Sequence, residues 1–514
     1  MILDNGVIRP MDTFLPSARA LAIAADQIAG GVGVHESALP SPEVVDLAGR
    51  CVLPGFNDAH VHFAQWAIAQ REVKLAGLPS AAAAFERVRV AASHLPPGAW
   101  LRGRGWRAGD WGPGGLEPTR AELDAAVRDR PAALVSRDSH SVLLSSAALA
   151  LAGGDLAAPG GVVEVDASGQ PTGILREESA WQFLARFATP SRAELLDAMR
   201  QAQRFALYRG VTAIHDFDGD LGGLDLHQRL VGEGSLQLRV LQSLPASRIA
   251  ALRSLDVRSG FGGPHLALGH LKVFMDGTLG SGTALMLDGS GVEITSRAEL
   301  QEIVREATEI GFPVAVHAIG DAANRNALDA FEATRELWEP KGLRHRIEHA
   351  QCLHADDLPR FAELGITASV QFSHAPADRD LADERWAGRL DGAYAFRSLL
   401  DSGARLVNGS DAPIEELDPL AGIRAAVLRT LDDRPAWRPA EAVTMWEAID
   451  ASTAAPAWLA REERRRGKLI PGQLADLTVL SHDPFTTPVE ELETIEVVAT
   501  MVGGRWLHNP PPWD

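Results

Sequence analysis

The sequence predicts an α/β protein built on a (β/α)8 barrel, and three observations carry that expectation. The chain has 514 residues, enough for a barrel of about 250 residues plus additions. Strand-like apolar runs recur along it with helical periods between them, the alternation that produces a parallel sheet. Metal-binding residue types stand at the C-terminal ends of several runs, the face where a barrel gathers its active site.

The candidate barrel strands are CVLPGFNDAHVHF (51–63), GVTAIHDF (210–217), LQLRVLQSL (236–244), LALGHLKVFMDG (266–277), FPVAVHAIG (312–320), RHRIEHAQ (344–351), ITASVQF (366–372) and ARLVNGSDAP (404–413). Helical periods lie between several of them, notably over 297–310 and 321–338. About 150 residues separate the first two runs, whereas a βα unit needs only some tens, so an inserted α+β subdomain is expected over 70–200. Its segment WLRGRGWRAGDWGPGG (100–115) reads as a long loop, either covering a pocket or lying on the surface above its own tryptophans. The short β-like runs in 1–53 and 456–514 do not fit the barrel period. A small β domain assembled from both ends accounts for them, leaving 54–69 and 201–455 to the barrel.

With 46% hydrophobic and 23% charged residues the composition is that of a globular protein. A net charge of -19 excludes sequence-independent binding to nucleic acid or to an anionic membrane surface, and favours a small-molecule partner. Cys51 and Cys352 are the only cysteines; they form no disulfide framework and suit a reducing compartment. The N-terminal run ALAIAA is too short to span a bilayer; no signal peptide or membrane helix is expected, and a cytoplasmic location is. The basic run REERRRGK (461–468) reads as a solvated helix end. GRGWRAG (103–109) lacks the GxGxxG spacing of a dinucleotide site.

In a strand, residues two apart point to the same side, so His60 and His62 project together and can grip one divalent metal. Alone, such a pair is as compatible with core packing. His317 after FPVAV, His349 after RHRIE and Asp411 after ARLVNGS add three ligand types at equivalent strand ends. Lys272, on the fourth run, would aim its amine at the same place. As an ammonium it would be repelled by metals; as the carbamate formed with carbon dioxide it would bridge two of them.

The segments LPGFNDAHVHF, KVFMDGTLGSGTA, VHAIGDAANR, RIEHAQ, NGSDAPIEELDPLAGI and GKLIPGQLADLTVLSHDPF together resemble the amidohydrolase superfamily, in its YtcJ-like (amidohydrolase-3) branch, the group that includes N-substituted formamide deformylase. The resemblance runs from about residue 20 to residue 507. It implies a metal-dependent TIM barrel, a composite β-sandwich from both termini and an insert after strand one. It further implies that His60 and His62 hold the more buried metal, His317 and His349 the more exposed one, and carboxylated Lys272 bridges them. Asp411 would bind the buried metal and the attacking water. A homodimer is common in this family. Two departures, Gly282 where arginine is frequent and Phe372 where proline is, bear on substrate contacts rather than on the metals.

The expected activity is metal-dependent hydrolysis of an amide, formamide or related C–N bond by a metal-activated hydroxide, with Asp411 as general base and then acid. Two zinc ions suit imidazole and carboxylate ligands, with iron, manganese or cobalt as substitutes. Deamination of a heterocycle, or ester or lactone hydrolysis, is the alternative; Lys272 counts against a deaminase. A non-catalytic scaffold is the third reading, and the complete ligand set counts against it. His140, His374, Trp106 and Trp111 are candidate substrate contacts, each equally compatible with a structural role. Asp276 and Asp321 read as residues that fix loops and orient ligands.

Overall fold

A computed structural model of the protein describes residues 1–29, 43–106, 117–136, 141–159, 161–219 and 221–513. The chain divides into two compact units, Met1–Trp66 with Met199–Asp514, and Ala67–Ala198.

In the larger unit eight parallel strands follow one another in chain order: β1 (Phe56–Val61), β2 (Val211–Asp216), β3 (Arg239–Pro245), β4 (Leu266–Phe274), β5 (Val314–Ala318), β6 (Arg346–His349), β7 (Thr367–Val370) and β8 (Leu406–Asn408). Each falls in one of the eight expected runs, β3 extending one residue beyond its own. The β5 and β6 strands are buried at every position, as parallel strands under helices must be. Closure comes just past β8: the Asp411 N–H donates to the His60 carbonyl at 2.7 Å, the His62 N–H donates to the Ala412 carbonyl at 2.9 Å, and Val61 bridges Ala412 in parallel register. The closing contact therefore carries Asp411 to the two histidines of β1.

The first run differs from its expectation, because it is two strands. Cys51–Pro54 pairs antiparallel with Leu477–Leu480, and the chain then passes into β1 at Gly55. A Cβ at Gly55 would stand 2.2 Å from Thr212 Cγ2 of β2, so a side chain there would push the two strands apart. The helix expected over 321–338 is also divided. The α1 helix (Arg297–Glu309) is capped by a reciprocal Ser296–Glu299 box, whereas α2 (Asp321–Ala333) stops where the Thr334 hydroxyl donates to the Ala330 carbonyl at 2.8 Å, and Arg335–Trp338 turns separately.

Two further sheets belong to this unit, the first built wholly from N-terminal strands and the second from strands of both ends of the sequence. Gln27–Ala29, Leu21–Ala24, Ile2–Asp4 and Val44–Asp46 form one; Val7–Ile8, Cys51–Pro54, Leu477–Leu480, Val497–Val502 and Arg505–His508 form the other. Leu3, Leu21 and Ile23 of the first pack with Val52, Leu477 and Met501 of the second in one core.

The smaller unit is a six-stranded sheet in the order Gly161–Val165, Pro171–Glu177, Ser141–Leu144, Ala132–Ser136, Leu101–Trp106, Val73–Lys74. The segment expected as a long loop thus begins as the interior strand Leu101–Trp106. Trp106 does not wall a substrate pocket: it is buried in this unit's core with Leu101, Leu134 and Leu143, and its indole N–H donates to the Leu134 carbonyl at 2.7 Å. Ring and polar atom are both consumed by packing. Trp111 and His140 lie outside the described residues. Among the described residues no helix is long and apolar enough to cross a membrane.

Candidate metal centre

At the C-terminal ends of the barrel strands, His60, His62, Lys272, His317, His349, His374 and Asp411 line one cavity of about 380 Å3. His60 is in the last residues of β1 and His62 one residue past it. Their Nε2 atoms lie 3.4 and 3.6 Å from Asp411 Oδ1. The opposite nitrogens are engaged: His60 Nδ1 meets Glu348 Oε2 at 2.6 Å, and His62 Nδ1 meets Asp218 Oδ1 at 3.3 Å. Asp218 is itself fixed by the Ala64 and Gln65 N–H groups and the Gln65 side-chain amide. The His60 ring also stacks on Phe217, with centroids 4.2 Å apart.

His317, near the end of β5, donates through Nε2 to the Gly277 carbonyl at 2.9 Å, which leaves Nδ1. His349 ends β6 in unusual backbone. The inward-facing residues of β6 are Arg346 and Glu348, so simple alternation would send His349 outward. Instead His349 adopts φ +74° and Ala350 φ +44°, the left-handed region that non-glycine residues seldom enter. That twist sets the imidazole 4.6 Å from the His317 ring and 5.1 Å from that of His60, with Nδ1 against Gln371 Oε1 at 2.8 Å. Asp411 is left-handed too, at φ +56°.

The donor set fits metal ions. Each of the four expected histidine ligands has one nitrogen anchored on a protein acceptor, the arrangement that orients an imidazole toward a metal with the other. His60 Nε2 is buried and has no hydrogen-bond partner. Burial holds His60 and His349 neutral, far below the ordinary histidine range, and pushes His317 down to about 3; the neutral form is the one that ligates. At His62 burial also disfavours the charged ring, but the hydrogen bond and charge of Asp218 outweigh it. Burial lowers the Lys272 amine from 10.5 to about 8, and its Nζ sits 4.8 Å from the Phe217 ring centroid and 5.0 Å from that of Phe274.

Two trios offer ligand atoms all within 4.8 Å of one another: His60, His62 and Asp411, and His349, His374 and Asp411. His374, expected as a substrate contact, thus stands in the second trio, whereas His317 belongs to neither. The His374 ring lies parallel to that of His349 at 6.4 Å, its Nδ1 accepts from the Gln351 amide at 3.3 Å, and its Nε2 is buried without a partner.

Asp276 accepts from the Leu285, Ile319 and Gly320 N–H groups, and Asp321 accepts from the Leu287 N–H; both tie down loops. Phe372 is fully buried against Phe396, which makes it a core residue. Beside Gly282 stands the Arg385 guanidinium, whose Nη1 donates to the Leu279 carbonyl at 2.6 Å.

Sequence reasoning missed Glu348, Asp218 and Gln371, the groups that hold the histidines. Two of them carried a signal. Arg346 and Glu348 are opposite charges two apart on an apolar strand, and Asp216 and Asp218 repeat that spacing at the end of β2.

Residues 43–508 match the family model described as the Amidohydrolase family. YtcJ of Bacillus subtilis, named as an amidohydrolase, is 31% identical over an alignment of 510 positions that covers 94% of this chain and 95% of that protein. N-substituted formamide deformylase of Arthrobacter pascens is 29% identical over 534 residues, covering 98% and 97%. Among solved structures, an uncharacterized metal-dependent hydrolase of Pyrococcus furiosus superposes with a TM-score of 0.78 at 29% identity, over 94% of this chain and 99% of the other.

Proposed function

The chain belongs to the amidohydrolase family and is a metal-dependent hydrolase, and from that premise we propose that it acts on a carbon–nitrogen bond, the amide or formamide of a small molecule. The observation that carries this reading is the convergence on Asp411 of imidazoles whose far nitrogens are already held.

Two divalent ions, zinc by the nitrogen and oxygen character of the donors, would be held by His60, His62 and Asp411 and by His317 and His349. When bound, such ions make a water acidic enough to attack near neutral pH and polarise the scissile carbonyl. Lys272 joins them as a carbamate: its neutral amine forms an N–C bond to carbon dioxide, one proton leaves to solvent, and two oxygens sharing a negative charge result. The depressed amine pKa supports this step. Asp411 takes a proton from the attacking water and returns it to the leaving nitrogen. His374 offers the unpartnered Nε2 to the substrate.

In Asp411→Asn, turnover of a panel of N-formyl and N-acyl amines is expected to fall by about 10^2 to 10^4, while elemental analysis still finds metal on the protein. A variant as fast as wild type sinks the assignment. Hydrolysis of aryl esters or amino-heterocycles alone would move the activity to another bond.

A further inference from the structure

Beyond the ligand residues, the cavity has an apolar wall and an acidic side chain, Asp378, with Glu415 adjoining its lining residue Ile414. Phe274, Leu279, Ile319, Pro413 and Ile414 line it, and Phe274 and Ile414 remain 42% and 69% exposed. Apolar surface of that kind, left at the mouth of a cavity, marks where a ligand lies.

Asp378 lines the same cavity one helical turn after His374, its N–H donating to the His374 carbonyl at 2.8 Å. One of its oxygens accepts from the Tyr394 hydroxyl. The adjacent Arg379 turns away, donating to the Pro435 carbonyl at 3.0 Å. Glu415 follows Asp411 by four residues, is half-buried, and feels the charges of His374, Asp378 and Asp411. Among the described residues neither carboxylate has a lysine or arginine within ion-pair distance, and Lys272 is the single lysine or arginine that lines the cavity. The Arg385 guanidinium is engaged with the Leu279 carbonyl.

Two partly desolvated carboxylates that, among the described residues, have no lysine or arginine paired with them cost free energy that a ligand cation would offset, and they repel a ligand anion. We propose that the preferred substrate is an acylated or formylated amine whose nitrogen substituent is an apolar chain ending in a second, cationic nitrogen. The chain lies along Phe274 and Ile414, and the cation meets Asp378 and Glu415. This rests on the C–N hydrolysis reading above. In the reaction the amide C–N bond breaks, the water oxygen bonds to the carbonyl carbon, and the leaving nitrogen takes a proton, giving a carboxylic acid (formic acid from a formamide) and a diamine.

A trio of equal chain length tests it on the metal-loaded enzyme: N-formylhexylamine, mono-N-formyl-1,6-hexanediamine and 6-(formylamino)hexanoate. The ammonium substrate is expected to exceed the carboxylate one by about tenfold or more in kcat/KM, with the neutral one between and the gap shrinking in high salt. In Asp378→Asn with Glu415→Gln the ratio of ammonium to carboxylate substrate falls toward one. A carboxylate substrate handled as well as the ammonium one overturns the inference and leaves the C–N reading standing. Failure of the whole trio beside hydrolysis of an ester or an amino-heterocycle overturns the amide reading, and this inference with it.

Discussion

At His60 the two ring nitrogens have separate tasks, one toward Asp411 and one toward Glu348, and Glu348 is held in turn by Arg346. Arg346 also donates to the Ala59 carbonyl, so a fully buried ion pair is tied directly to the backbone of the ligand strand. Glu348→Gln should weaken metal affinity about 10- to 100-fold, the usual effect of disturbing a group behind a ligand; metal titration measures it. Glu348→Ala strands Arg346 and should cost about 3 to 5 kcal/mol in denaturant unfolding. If stability and metal affinity are both unchanged, Glu348 does not orient His60. His374→Ala should keep the metal content of the wild type while kcat/KM falls, and loss of a metal would make His374 a ligand instead. The ligand candidates were legible because a histidine or aspartate ending an apolar run is conspicuous. The backbone around them was not. Nothing in RIEHAQ signals that His349 is left-handed, and period-two reasoning alone would have turned it away from the cavity while turning Glu348 in.

Helix α3 (Met445–Ala451) shows how an element supports the site from a distance. Its capping box joins Thr444 and Glu447, and the residue after it, Ser452, offers its carbonyl to the Asn57 N–H of β1 at 2.8 Å. Glu447 is partly buried, which opposes its charge, yet the paired bonds from Arg397 and those from Thr444 hold its pKa down, from 4.5 to about 2. A carboxyl with a depressed folded pKa adds stability above its unfolded pKa and loses it as pH falls toward the folded one. The difference in Tm between wild type and Glu447→Gln should therefore be full at neutral pH and close on acidification from about 4.5 to about 2. A gap independent of pH would show that the ion pair adds nothing. At this scale the eight barrel strands were legible, since each is an apolar run of the right length between helical periods. The break at Gly55 was not, because it depends on how near Thr212 of β2 lies, a distance between segments roughly 150 residues apart.

For the whole molecule, metals bound by folded protein and not by unfolded chain must raise its stability. Metal at one hundred times its Kd is worth about 2.7 kcal/mol. Dialysis against a chelator should lower Tm and zinc should restore it; an unchanged Tm would mean that the histidines hold no metal tightly. The gap of about 150 residues after the first run raised the expectation of an insert, and Ala67–Ala198 forms a compact unit of its own. The strand order within Ala67–Ala198 was not legible, since it mixes parallel and antiparallel neighbours that no local pattern distinguishes. The passage of one segment from Cys51–Pro54 into β1 also sets a clock. Cys51–Pro54 pairs on one side with Val7–Ile8 and on the other with Leu477–Leu480, the latter synthesised after every barrel strand. At about 5 to 20 residues per second, the segment leading to His60 waits on the order of 20 to 80 seconds for that partner. If the candidate site needs that pairing, it is completed only after translation has passed the barrel, and nascent chains stalled before residue 477 should fail to retain a divalent metal that longer ones keep.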